Sequence, residues 1–262
     1  AALATTLARL IQVGMMYAYM RYKQHWLLTT ESSMHRPSLW LSYRRLALPL
    51  TLNAVLWAVG TMAYQMIFGH MGTTELAVFS MLAPFESLCY SVFFGISVAC
   101  SVLLGHSLGR DEFDQAMRMG LTFIKAVVGF GVLVGAGLFM GKEHVLSWLN
   151  LDEASLYPLA SPAITIMCFA VVIRMLNMVI INGIIRAGGD NPFCLRMDFI
   201  AMWMVGIPVC VYGAFVAGWD FKYIYGLMLV EEVVKLAICS HRYLSRRWIN
   251  NLTVTYEEPQ AA

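Results

Sequence analysis

Residues 76–104 read LAVFSMLAPFESLCYSVFFGISVACSVLL, a run whose single charged side chain is Glu86. Crossing the roughly 30 Å of hydrocarbon in a bilayer takes about 20 mostly apolar residues wound as a helix, and this run exceeds that length. Its apolar residues do not alternate with polar ones, so it does not read as a strand of a transmembrane barrel. In lipid every backbone amide must be paired within the protein, which leaves helix as the state of the segment despite Pro84, Gly95 and the β-branched residues inside it. Pro84 offers no N–H to the carbonyl of Ser80, so a local break in the helical ladder is expected one half-turn before Glu86.

Comparable runs lie on both sides. Outward from 76–104 the pattern gives Leu3 to Tyr22, Leu46 to Phe68, Met119 to Met140, Pro158 to Ile185, Leu195 to Gly218 and Tyr223 to Tyr243, seven spans in all. The fold class expected is therefore an all-α integral membrane protein. Composition agrees: 59% of the residues are hydrophobic and 13% charged, too few polar groups to cover a soluble domain of this size. Domain organisation follows the runs: a first helix at 1–22, a polar linker at 23–45 carrying Trp26, Pro37 and Trp40, a six-helix body at 46–248, and a tail at 249–262. The sequence opens on Ala1 rather than methionine and has no charged leader, and the expectation is that it starts within a longer protein.

Positive residues separate by side. Arg21, Lys23, Arg36, Arg44, Arg45, Arg110, Arg118, Arg186, Arg196, Arg242, Arg246 and Arg247 flank one set of connections, whereas Lys142 and Lys222 are alone on the other set. The positive-inside rule makes the arginine-rich side cytoplasmic, with the first residue outside and the last inside, in a bacterial cytoplasmic (inner) membrane.

Charges inside the spans are costly and therefore informative. Glu86 beside Pro84, and the adjacent Glu231 and Glu232, are candidates for ion or proton coupling. Arg174 lies about 18 Å from the end marked by Arg186, too deep to snorkel, and requires an anionic partner among Glu86, Glu231 and Glu232. Asn177 shares its face at i, i+3. Glu231, Lys235 and Arg242 fall on one stripe, with Lys235 close enough to the cytoplasmic end to snorkel. Asp198 is expected to order the turn at the mouth of its span. Pro49 is expected in the first turn of the second span, where its missing N–H is harmless. Asn53, Trp57 and Tyr64 make that span polar-speckled, suited to line a cavity, and Met62, Met66, Phe85 and Met175 could add an adaptable surface for aromatic cargo. The six cysteines have no C-x-x-C spacing and read as packing residues; neither a metal nor any other cofactor is expected.

Four segments resemble the carboxyl-terminal lobe of multidrug and toxic compound extrusion (MATE-type) transporters. They are Leu48–Pro49 with Asn53, Trp57 and Gly60 running to Gly72; Gly95 to Ala99 leading into Gly105 to Gly109 and Arg110, similar to the family's glycine-bounded cytoplasmic turn; Gly183 to Arg186 with Gly188, Gly189 and Asp190; and Asp198, Trp203, Gly206 to Pro208, Glu231, Glu232, Lys235 and Arg247 to Asn250. The resemblance covers about Arg44 to Leu252, with the first span similar to the last helix of the amino-terminal lobe. It implies a twelve-helix fold of which this chain holds seven helices, and a secondary antiporter exporting amphipathic aromatic compounds, cationic drug-like or flavin-like, against H+ or Na+. The expected partners are the lipid bilayer, that cargo and the missing amino-terminal lobe, with no nucleic acid. Where relatives carry an acid in the second span this chain has Ala54 and Trp57, so the resemblance leaves coupling to Glu86, Glu231, Glu232 or the absent lobe. Other readings are a truncated product inactive alone and a seven-helix rhodopsin-like photoreceptor built on Lys235. An enzyme is not expected, because no catalytic constellation is present.

Overall fold

Each apolar run is helical in the computed structural model, which describes residues 2–23, 37–151 and 155–250. Trp26 and Arg36, assigned above to the linker, lie outside the described residues, as does the tail from 251. The chain divides into two compact units, 1–43 and 44–262. The first unit holds α1 (Ala2–Tyr22) and the beginning of α2 (Pro37–Met71). The side chains described on α1 are almost all exposed, Leu3 and Met15 among them, and α1, expected as a span, is not among the helices apolar enough to cross a membrane.

The second unit contains the rest of α2, then α3 (Thr73–Gly109), α4 (Phe113–Met140), the short α5 (Lys142–Trp148), α6 (Tyr157–Met178), α7 (Asn191–Asp198), α8 (Ile207–Val211) and α9 (Phe221–Leu244). Helix α6 continues without a break as a π-helical stretch, Val179–Ile185, and further π-helical stretches at Phe199–Gly206 and Tyr212–Val216 join α7 to α8 and extend α8. Segments Ala47–Met71, Thr73–Gly109, Phe113–Met140, Tyr157–Ile185 and Asn191–Val216 are long and apolar enough to cross a membrane. Helix α9 has the length, but Lys222, Glu231, Glu232, Lys235 and Arg242 interrupt its apolar character.

Two local expectations are corrected. Pro49 is not in a first turn: α2 begins at Pro37, and Pro49 lies well inside it. Pro37 takes the initial position, where a proline loses no hydrogen bond, and Pro49 leaves the carbonyl of Arg45 without its helical donor. The glycines at 105 and 109 do not bound a turn either. Helix α3 runs through Gly109, and the reversal is made by Asp111 in the left-handed region at φ 59°.

Span Tyr157–Ile185 is the most enclosed of the five and forms the axis of the second unit. The small residues Gly131 and Gly135 of α4 face Val172 and Cys168 on it, α3 lies along its π-helical end, and α9 packs on its other side. Five cysteines are buried, Cys89 is half-buried, and all six are free thiols, as packing residues would be. At the end of α6 the turn Arg186–Asp190 is closed by Gly189 at φ 76°, a conformation that costs glycine nothing. Gly188 in the same turn lies against the backbone carbonyl of Trp248, leaving no room for a Cβ. Trp248 is fully buried, stacks on Tyr243 with ring centres 5.9 Å apart, and donates its indole N–H to the Tyr243 carbonyl.

Candidate functional site: a buried chain of charges

The polar residues within the apolar runs are drawn together rather than scattered. A buried charge is stable only when paired and hydrogen-bonded, so each recruits partners across helices. Arg174 of α6 reaches Glu86 of α3 at 2.9 Å, with the Tyr90 hydroxyl accepting from the same guanidinium nitrogen at 3.1 Å. The other oxygen of Glu86 accepts the Tyr225 hydroxyl of α9 at 2.5 Å. The partner that Arg174 requires is thus Glu86, with Glu232 second at 3.7 Å and Glu231 not in reach.

A second knot joins α2, α7 and α9. Lys235 pairs with Glu231 at 2.5 Å, one turn away on α9, and stands 3.7 Å from Asp198 and 4.0 Å from Glu232. The other oxygen of Glu231 accepts the Tyr64 hydroxyl at 2.5 Å. Asn53 donates its amide to Asp198 at 2.6 Å and accepts from Arg186 at 2.9 Å. Lys235 therefore does not snorkel: it is 5% exposed and held inward by three carboxylates. Nor does Asp198 order a surface turn. Helix α7 starts at Asn191, about two turns earlier, which carries Asp198 into the protein.

Glu232 is the link between the knots. Asn177 donates to its side chain and to its backbone carbonyl, both at 2.8 Å, while its nearest cations remain 3.7 and 4.0 Å away. The Arg174 Nε facing it is buried without a hydrogen-bond partner. Along this network four carboxylates, Glu86, Glu231, Glu232 and Asp198, are set among three cations, with Arg174 and Lys235 paired to them directly and Arg186 joined to Asp198 only through Asn53. With all ionised, one negative charge is left over, and neither Glu232 nor Asp198 has an ion pair shorter than 3.7 Å.

The remaining candidates fall into three groups. Tyr64, Asn53 and Asn177 are buried within the charged chain rather than lining an open cavity, and Phe85 and Met175 pack in the core. Trp57, Met62 and Met66 are exposed on α2. The turn residues do structural service: Asp190 binds Arg242 through two of its nitrogens, at 2.6 and 2.7 Å, and the Gly188 carbonyl accepts from Asn250. Pro208 opens α8 directly after a π-helical stretch, and Pro84 lies within the unbroken α3. Tyr90, Tyr225 and the inward role of Asp198 were missed from sequence. Tyr90 is one turn after Glu86, and Tyr225 is two turns before Glu232, so helical spacing held the signal.

A lipid-embedded helical bundle whose interior is threaded by compensated charge is built as membrane transporters are. The chain belongs to the MatE family, whose model matches residues 49–212. It is 24% identical over 201 residues to a probable multidrug resistance protein NorM of Bacillus cereus, covering 75% of this chain and 44% of that protein. It is 26% identical over 172 residues to the human multidrug and toxin extrusion protein 1, covering 65% and 30%. Among solved structures, an outward-facing multidrug resistance MATE family transporter of the MOP superfamily superposes with TM-score 0.70 at 16% identity, over 82% of this chain and 48% of that one. A MOP superfamily transporter from Pyrococcus furiosus gives TM-score 0.70 at 15% identity over the same shares. The chain spans less than half the length of these relatives. Nothing in the comparisons supports a rhodopsin-like photoreceptor, and the lysine that reading needs is committed to Glu231.

Proposed function

We propose that this chain is the carboxyl-terminal half of an exporter that moves amphipathic aromatic or drug-like compounds out of the cell in exchange for H+ or Na+. The amino terminus of this half lies outside and its carboxyl terminus in the cytoplasm of a bacterial inner membrane, in keeping with the distribution of arginine. The observation that supports a coupling role is the excess of one carboxylate in the charged chain, with Glu232 one of its two acids that lack a close ion pair. Glu232 is faced by Arg174 of α6 and by Lys235 on α9, accepts from the Asn177 amide, and has no ion pair shorter than 3.7 Å. One inward-moving cation or proton taken up there neutralises the excess, and its release restores it. Such an exchange does work only if the two access states hold the ion with different affinity.

One lobe does not enclose the cavity that two lobes form, so transport requires the other half of the family fold. The test joins this chain to the first five helices of the twelve-helix family fold and follows ethidium and flavin efflux against pH and sodium. Glu232→Gln abolishes the pH or sodium dependence if Glu232 couples. Unchanged dependence moves coupling to the other half, and efflux by residues 1–262 alone overturns the half-transporter reading.

A further inference from the structure

Away from the charged chain, a groove of about 680 Å3 opens between α2 and the α7 segment. Val55, Leu56 and Val59 form one wall, Ile200 and Trp203 the other, and Arg196 stands at one end. Asn53 meets Asp198, and Gly60 lies against Met202, so the two segments run in the same direction. Arg44, exposed on α2, extends from the same end on the stripe that carries Val55 and Val59.

We propose that this groove is a binding site for one acyl chain of an anionic glycerophospholipid, whose phosphate is held by Arg196. Both walls belong to segments long and apolar enough to cross a membrane, and among the groove's lining residues Arg196 alone is charged. Arg196 uses Nε on the Pro192 carbonyl, and its terminal nitrogens have no ion pair among the described residues. A basic side chain at the mouth of an apolar cleft between membrane helices is complementary to an anionic headgroup and its tail.

The purified 262-residue chain tests this by native mass spectrometry with phosphatidylglycerol and phosphatidylcholine of identical acyl chains. One phosphatidylglycerol is retained in preference to phosphatidylcholine. Arg196→Gln, a change at an exposed side chain, lowers that preference about fivefold. Leu56→Trp, which fills the groove, removes retention of both lipids. Phosphatidylglycerol with brominated chains quenches tryptophan emission, and Trp203→Phe removes the quenched component, a readout that holds even if Leu56→Trp misfolds. Equal retention of the two headgroups, an Arg196→Gln chain with undiminished preference, or quenching unaltered by Trp203→Phe overturns the proposal. So does a dimer that Leu56→Trp dissolves, because the groove would then belong to a second copy.

Discussion

Tyr64 and Glu231, 167 residues apart in sequence, meet through a hydroxyl–carboxylate hydrogen bond of 2.5 Å, and this contact pins α2 to α9. A bond to an ionised acceptor contributes more than a neutral one. Tyr64→Phe removes it while keeping the ring, and is expected to lower stability by about 1.5–3 kcal/mol. Thermal unfolding of the purified chain in detergent measures the loss; a change under half that size would mean that Glu231 finds another donor.

Lys235 serves three carboxylates, so its removal costs more than one ion pair. Lys235→Met is expected to destabilise by about 3–5 kcal/mol, because Glu231, Glu232 and Asp198 stay buried without their cation. Adding Glu231→Gln returns the formal charge to its original excess of one. The double variant should therefore recover part of the loss, with a coupling of about 1–3 kcal/mol in a double-mutant cycle. Strict additivity would show that the residues act separately.

Gly188 and Gly137 form a matched pair of glycine tests. A Cβ on Gly188 runs into the Trp248 carbonyl, whereas one on Gly137 meets nothing within 4 Å. Gly188→Ala should cost about 1–3 kcal/mol through forced displacement of the backbone. Gly137→Ala, inside α4, should be neutral or stabilise by up to about 1 kcal/mol. Chemical denaturation of both variants side by side separates steric from helix-propensity effects.

Trp248 lies beyond the last helix and yet is fully buried. Trp248→Ala is expected to lose about 3–5 kcal/mol, comparable to a core aromatic, and to expose the Gly188–Asp190 turn to limited proteolysis. Protease resistance equal to the parent chain would place the closure of that turn in the Asp190–Arg242 pair instead.

Long apolar runs fix helices almost independently of context, because lipid offers the backbone no alternative partner, and the spans from 76–104 outward were legible for that reason. Partners were only partly legible. Spacing along one helix showed that Glu231 and Lys235 share a stripe, and depth showed that Arg174 needs an acid. Which acid it meets depends on the rotation of α3 against α6, which no single run encodes. Asp198 was misread because the start of α7 was set by hydropathy, whereas the helix begins earlier, at the Asn191–Pro192 pair. Pro49 was misplaced for the same reason at Pro37.

The charged chain described above touches α2, α3, α6, α7 and α9 through bonds that are each specific in direction. Sliding any one of these helices past its neighbours would strand a carboxylate or a guanidinium in low dielectric, at a cost no single bound ion repays. The bundle is therefore stiff against shear. Any motion that alternates its exposure between the two membrane faces must carry the five helices as one block, with the bending confined to the connections at its edge.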